Sequence, residues 1–143
     1  MRTLLALLLF TLAHVAIAQQ LNPKSFTMVK KKGGVPTQVF TAIGLEDLNE
    51  LANPGKHYTR GCIRKDGVPN KRLNWAAHNA QGSWWLSVSY GGRANYTVFY
   101  RVSLKDGSGT KEAFNGRTLG ENGTFNEVIE RWNAGTLETS SVF

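Results

Sequence analysis

Two aromatic residues, Trp85 and Phe99, occupy positions that the alternating pattern of their strands otherwise fills with polar residues. From residue 84 to 90 the even positions are apolar, and the odd positions carry serines and Trp85. Aromatic rings stack on sugars or bases, and arginine pairs with carboxylate, phosphate or sulfate. The pattern therefore predicts a partner-binding sheet face composed of Arg72, Asn74, His78, Trp85, Phe99 and Arg101.

This face is open only if both predicted helices cover the opposite side of the sheet. One permitted hairpin register places Trp85 directly opposite Phe99. The same residues suit a protein interface, where Trp and Arg often act as anchors. In the alternative arrangement, the N-terminal strand region, a second sheet layer or the tail covers the face, and both aromatics belong to the core.

A second basic feature combines a lysine run at 30–32, followed by Gly33-Gly34, with scattered cationic residues further along the chain. Those residues are Arg60, Arg64, Lys65, Lys71 and Arg72. Glycines beside lysines can present amides to an anion. Since Walker spacing is absent, nucleotide binding has no support, and a solvated loop is the ordinary interpretation.

Catalysis depends on two histidines, His57 and His78, because His14 lies in the N-terminal apolar run. Imidazole titrates near neutral pH, so such a pair could shuttle protons in phosphodiester cleavage. Neither histidine stands in a recognisable local motif. The spacing of His, Cys and carboxylate residues does not predict a metal site or a two-carboxylate glycosidase. We predict no metal and no cofactor.

Cys62 is the single cysteine, which excludes an internal disulfide framework. It stands within Arg60-Gly61-Cys62-Ile63-Arg64, and positive neighbours favour the reactive thiolate form of a cysteine. Burial as a small hydrophobe and an intermolecular disulfide are the two other interpretations.

The clearest structural signal is a three-stranded antiparallel meander over residues 72–104. Apolar residues alternate over 73–77, 84–90 and 96–104, and Gly91-Gly92 can form the second hairpin turn. A four-residue loop at 79–82 would pair Leu73 with Val88, Trp75 with Leu86 and Ala77 with Trp84. Residues 110–119 are expected to add a fourth strand.

The flanking segments predict further strands and two short helices. Residues 26–29 and 35–43 are β-rich, whereas leucines at helical spacing indicate a helix at about 45–53. A capping box at Thr124 and Glu127 predicts a second helix at about 125–134, ended by Gly135. The fold class is therefore α+β, with both helices on one face of the sheet; a mostly β barrel with peripheral helices is the alternative.

The N-terminus has the features of a secretory signal peptide. A basic start precedes an apolar run at 4–17, and small residues at 16–18 suit cleavage after Ala18. Cleavage would leave a single domain at 19–143, reduce the formal charge from +7 to about +6, and leave no integral membrane segment. We expect a secreted or periplasmic protein.

A basic exported domain is suited to an anionic partner. We therefore predict a non-enzymatic binding protein that recognises an anionic ligand, a glycan or a protein, and an inhibitor or immunity-type protein belongs to this class. Nucleic acid is a further anionic candidate, although no motif supports it. The alternatives are a small secreted hydrolase, such as a nuclease using His57 and His78, and a structural component of an envelope or matrix.

Overall fold

The computed structural model describes residues 19–141. The predicted signal peptide at 1–18 lies outside the described residues. Within 19–141, no helix combines the length and apolar character that crossing a bilayer requires.

An antiparallel sheet with two α-helices organises the domain and confirms the α+β class. Its strands follow the order β1-β3-β4-β5-β6, and the short β2 pairs in parallel with β3. The strands are β1 (Thr27–Val29), β2 (Leu51–Ala52), β3 (Lys71–His78), β4 (Ser83–Tyr90), β5 (Tyr96–Lys105) and β6 (Ser108–Asn115). The helices are α1 (Thr37–Ala42) and α2 (Phe125–Asn133). The predicted meander is thus present, and the fourth strand begins two residues earlier than the expected 110.

The first helix is displaced from its predicted position. Residues 35–43, expected to form a strand, contain α1, and the expected helix at 45–53 is a 3-10 turn (Leu48–Glu50) followed by β2. Val39, Phe40 and Ile43 are buried together, which places three apolar side chains on one side of the α1 turn. Their packing outweighs the β preference of the individual residues.

The second helix follows its predicted boundaries closely. The Thr124 hydroxyl accepts from the backbone N–H of Glu127, and the Glu127 carboxylate accepts from the backbone N–H of Thr124 at 2.8 Å. This bond and the Thr124 hydroxyl lower the pKa of Glu127 below its ordinary value. Gly135 follows the helix with φ of +68°. Local capping therefore specifies both ends of α2.

Helices cover both sides of the sheet, whereas we expected both helices to lie on one face. Even-numbered side chains of β4 and β5 pack with Val39 and Phe40 of α1. The odd-numbered Trp85 and Phe99 pack instead with α2, whose Val128 belongs to the same cluster. Since successive strand residues point to opposite faces, α1 and α2 belong to different sides of the sheet.

A β-bulge in β3 alters the expected register. Leu73 pairs with Val88 as predicted, but the register shifts between Leu73 and Trp75, so that Trp75 pairs with Ser87. The one-residue shift turns the side chain of Trp75 to the α2 side of the sheet. The bulge therefore adds Trp75 to the aromatic residues of the core beneath α2.

Candidate functional site

The two aromatics of the predicted binding face lie in the core. Trp85 and Phe99 are fully buried, because α2 covers them with Phe125, Val128 and Ile129. Trp85 pairs with Arg101, and Phe99 pairs with Ser87, so the two rings do not oppose each other. Neither ring is available to a partner, and the alternative in which they are core residues is the one that the structure supports.

Arg101 and His78 lie towards the other end of the sheet from Arg72. The Arg101 guanidinium lies 4.9 Å from the ring centroid of Trp132 and donates to Glu112 at 3.1 Å. The His78 ring stacks on Trp84 at 4.6 Å. These contacts anchor both side chains within the fold. They also keep the two side chains at a distance from the remaining residues of the predicted face.

The two histidines of the predicted hydrolase are far apart. His57 adjoins Tyr58, whose ring lies 4.8 Å from the Arg72 guanidinium near the start of β3. His78 ends the same strand six positions after Arg72, about 20 Å away at the usual rise per residue. The structure therefore does not bring the two histidines together.

The lysine run also has a structural role. Lys32 directs its ammonium group to the carbonyl oxygens of Leu48 and Leu51, and its backbone N–H donates to Asn53 at 2.8 Å. These bonds tie the run to the segment that leads into β2. Lys32 therefore closes a loop and does not present its charge to an anion.

Arg72 and Asn74 belong to a polar network that begins where the aromatic core ends. The Arg72 Nε donates to Asn74 Oδ1 at 3.0 Å, and Asn74 Nδ2 donates to the hydroxyls of Ser87 and Ser89, each at 2.9 Å. The Ser89 hydroxyl lies 3.0 Å from that of Thr97. These side chains satisfy one another in the interior, which is the condition for burying polar groups at low cost.

Glu121 connects this network to the surface. Its carboxylate accepts hydrogen bonds from Arg72 at 3.0 Å and from Arg60, and the Tyr58 hydroxyl lies 3.0 Å from Glu121 Oε2. Arg72 is 16% exposed in its side chain, whereas Arg60 is 58% exposed. Arg72 is thus an anchored cation, and Arg60 is a cation that solvent reaches.

A cavity of about 520 Å³ opens beside these arginines. We call it the basic cavity; its lining residues include His57, Tyr58, Thr59, Arg60, Lys65 and Arg72. Among the described residues, its lining contains three basic side chains and no Asp or Glu. Thr59 contributes a buried hydroxyl oxygen without a hydrogen-bond partner. The arrangement can attract and hold an anionic group.

The wall of the basic cavity is positioned by close contact with the second hairpin turn. The backbone N–H of Thr59 donates to Pro69 at 2.7 Å, and the backbone N–H of Gly92 donates to Arg60 at 3.0 Å. A Cβ at Gly91 would lie 1.8 Å from the Thr59 carbonyl oxygen. Only glycine permits this approach, so Gly91 brings Tyr58 and Arg60 against the sheet.

The rim of the basic cavity carries an exposed apolar side chain. Ile63 is 84% exposed, and the adjacent Cys62 is also exposed, so the interpretation of Cys62 as a buried hydrophobe is wrong.

Two ion pairs hold this loop. Arg64 donates to Glu50 at 3.0 Å, and Lys71 donates to the same carboxylate at 2.8 Å. These two cations, Lys71 foremost, lower the pKa of Glu50. The ion pairs tie the loop to the domain while leaving Ile63 in solvent.

A second cavity, of about 610 Å³, has Glu121 among its lining residues. We call it the amide cavity; its lining residues include Asn95, Tyr96, Thr97, Asn115, Arg117 and Glu121. Tyr96 is 39% exposed, and its ring stacks on Tyr90 with centroids 5.0 Å apart. The Tyr58 hydroxyl lies 3.3 Å from Asn95 Oδ1, which places Tyr58 between the two cavities.

Several residues of this arrangement were not identified as site residues from the sequence. Arg60 was noted only within a dispersed basic set, and Tyr58, Glu121 and Tyr96 were not singled out. Glu121 stands 61 residues after Arg60, so only the fold brings them together.

Within residues 19–141, no group of three or more His, Cys, Asp or Glu side chains is arranged to hold a metal ion. No protein-family model, curated protein or solved structure matches the chain. The two cavities and their shared wall are therefore the basis for a functional interpretation.

Proposed function

We propose that this protein is an exported basic binding protein that recognises an anionic group through the basic cavity. The observation that carries the proposal is the lining of this cavity, which contains Arg60, Lys65 and Arg72, while Glu121, the carboxylate that pairs with both arginines, is not among its described lining residues. Cations clustered in a concave surface concentrate the positive potential and attract anions. The formal charge, +7 for the full chain and about +6 after cleavage at Ala18, acts in the same direction over longer distances.

The two arginines serve different purposes in this proposal. Arg72 is held by Asn74 and Glu121, so its position is fixed before a ligand arrives. Arg60 is more exposed and can extend one of its guanidinium donors to an incoming anion. A cation whose position is fixed before the ligand arrives lowers the entropic cost of binding.

Titration with inorganic phosphate, followed by ¹H–¹⁵N spectra at constant ionic strength, tests this function. We expect saturable shifts concentrated in the amides of residues 57–65, and an apparent affinity that falls as salt is raised. Arg60→Ala removes a charge-assisted hydrogen-bond donor and should weaken phosphate binding roughly tenfold.

Arg93→Ala is the matched control, since Arg93 is an exposed arginine outside the lining of the basic cavity. It removes the same charge and should leave the phosphate titration almost unchanged. Equal losses in the two variants, or shifts spread evenly over all basic residues, would show that only the net charge attracts phosphate.

A second candidate is docking on an acidic protein, as an inhibitor or immunity-type protein would. The exposed Ile63 favours it, because this side chain stands between Cys62 and Arg64 at the rim of the basic cavity. Ile63→Asp should abolish capture of a specific protein from an extracellular or periplasmic fraction. Met28→Asp alters another exposed apolar residue and should retain capture; loss with both variants would contradict docking through Ile63.

A further inference from the structure

We infer that the anionic ligand is an acidic saccharide that spans both cavities. Its carboxylate-bearing sugar would lie in the basic cavity, and a neighbouring sugar ring would lie in the amide cavity. The inference rests on the proposed function and names the chemical class of its ligand.

The first argument is the adjacency of the two cavities. Tyr58 lines the basic cavity, and its hydroxyl lies 3.0 Å from Glu121 and 3.3 Å from Asn95, both of which line the amide cavity. Tyr58 therefore lines one cavity and contacts two residues that line the other. A ligand built of linked rings can occupy both, whereas a lone phosphate or carboxylate fills only one.

The second argument is the aromatic ring of Tyr96. It stacks at an interplanar angle of 10° on Tyr90, whose hydroxyl lies 2.7 Å from that of Tyr100 within the core. Burial raises the pKa of Tyr100 to about 12. Tyr96 is thus a partly exposed ring on a fixed support. The apolar C–H face of a pyranose packs on such a ring and removes apolar surface from water.

The third argument is the chemistry of the remaining lining. Asn95 and Asn115 offer amide donors and acceptors, Arg117 offers donors, and Glu121 offers acceptors. Sugar hydroxyls both donate and accept, so this mixture matches them. A cavity of about 610 Å³ also falls within the ordinary range for small-molecule sites. An extended acidic peptide would engage the cations but would not use the Tyr96 ring in this way.

Calorimetry with three probes of similar length distinguishes the ligand classes. The probes are a hexamer of galacturonic acid, neutral maltohexaose and hexaglutamate. We expect the uronate hexamer to bind roughly tenfold more tightly than hexaglutamate, because ring stacking adds to charge pairing. Maltohexaose should bind more weakly than the uronate hexamer, because it lacks the carboxylates that the basic cavity would hold.

Tyr96→Ala tests the aromatic platform directly. It should weaken binding of the uronate hexamer roughly tenfold and leave binding of hexaglutamate and phosphate unchanged. Tyr96→Phe should bind the uronate hexamer with the affinity of the native chain. Met28→Ala, which truncates an exposed apolar side chain outside the lining of both cavities, is the control. If Tyr96→Ala does not fold, Asn115→Ala, which removes an amide of the same lining without changing the net charge, should show the same selective loss of saccharide affinity.

If hexaglutamate and the uronate hexamer bound equally and Tyr96→Ala had no effect, the proposal of a saccharide ligand would be overturned. An acidic protein would then be the favoured ligand. Retained phosphate shifts at residues 57–65 would then leave the proposed function standing. Absence of those phosphate shifts from the native chain would instead remove the proposed function itself. The two failures are therefore distinguishable.

Discussion

One face of the sheet has two ends with opposite chemistry. At one end, Trp85, Phe99 and Phe114 lie in an aromatic core beneath α2. At the other end, Arg72 and Asn74 join buried serines in a hydrogen-bonded network that leads to Glu121. An aromatic residue on a polar strand is thus not a binding signal where a helix covers it. The polar residues at the other end connect to cavities and form the more informative part of the face.

The largest expected effect follows from Trp85→Ala at the aromatic end. Trp85 stacks with Phe114 at 5.8 Å and meets Trp132 edge-on at 5.4 Å, so truncation leaves a large cavity. We expect a loss of about 3–5 kcal/mol in the free energy of unfolding, measured by urea denaturation. Phosphate affinity of the folded protein should not change, because Trp85 lines neither cavity.

Trp85→Phe provides the matched comparison. The buried Trp85 Nε1 has no hydrogen-bond partner, so phenylalanine removes an unsatisfied donor while it retains most of the ring packing. This variant should lose much less stability than Trp85→Ala. If Trp85→Ala lowered the free energy of unfolding no more than a typical surface substitution does, this would mean that α2 does not pack on this face.

An intermediate effect is expected from Gly91→Ala at the polar end. The added Cβ would meet the Thr59 carbonyl oxygen, and relief of the overlap must move the segment that carries Tyr58 and Arg60. We expect a destabilisation of about 1–3 kcal/mol together with a marked loss of phosphate affinity. Denaturation and the phosphate titration, performed on the same sample, measure both.

Gly61→Ala is the control, since Gly61 lines the same cavity and a Cβ there meets no atom within 4 Å. It should leave stability and phosphate affinity close to those of the native chain. If Gly91→Ala lowered stability while leaving phosphate affinity intact, the hairpin contact would not be what positions the basic cavity.

Local signals explain what could be predicted from the sequence. The capping box at Thr124 and Glu127 satisfies its own backbone groups, and alternation in β4 and β5 needs only neighbouring residues, so these elements were predicted correctly. The α1 helix was not, because the burial of Val39 and Phe40 depends on distant strands. Local propensity cannot anticipate such a contact.

The candidate site was less predictable for the same reason. Arg72 was identified by its place on an alternating strand, and it does line the basic cavity. The sequence pattern did not identify Glu121 as a site residue, because its role depends on two arginines that precede it by 61 and 49 residues. The predicted open face failed because alternation identifies which residues share a face but not what covers that face. Covering is decided by tertiary packing, here by α2.

The smallest effect is expected at the boundary between the two ends, where α2 begins. Trp75 Nε1 donates to the carbonyl of Gly123 at 2.6 Å, so the residue just before the cap is tied to the aromatic core. Thr124→Ala removes the hydroxyl that caps α2 and should cost about 1 kcal/mol in the free energy of unfolding. Thr124→Ser retains the hydroxyl and should remain close to the native chain.

The pH dependence of this loss tests its cause. The Thr124 backbone and hydroxyl donate to Glu127 and lower its pKa in the folded state below the ordinary 4.5. Because the folded pKa is depressed, the contribution of Glu127 is present above about pH 4.5 and is lost as the pH falls through the folded pKa. Thr124→Ala removes the hydroxyl donor, so the difference between its unfolding midpoint and that of Thr124→Ser should narrow below pH 4.5. A difference that stays constant down to pH 3 would show that the cap acts through the hydroxyl bond alone and that the Glu127 charge contributes nothing to the start of α2.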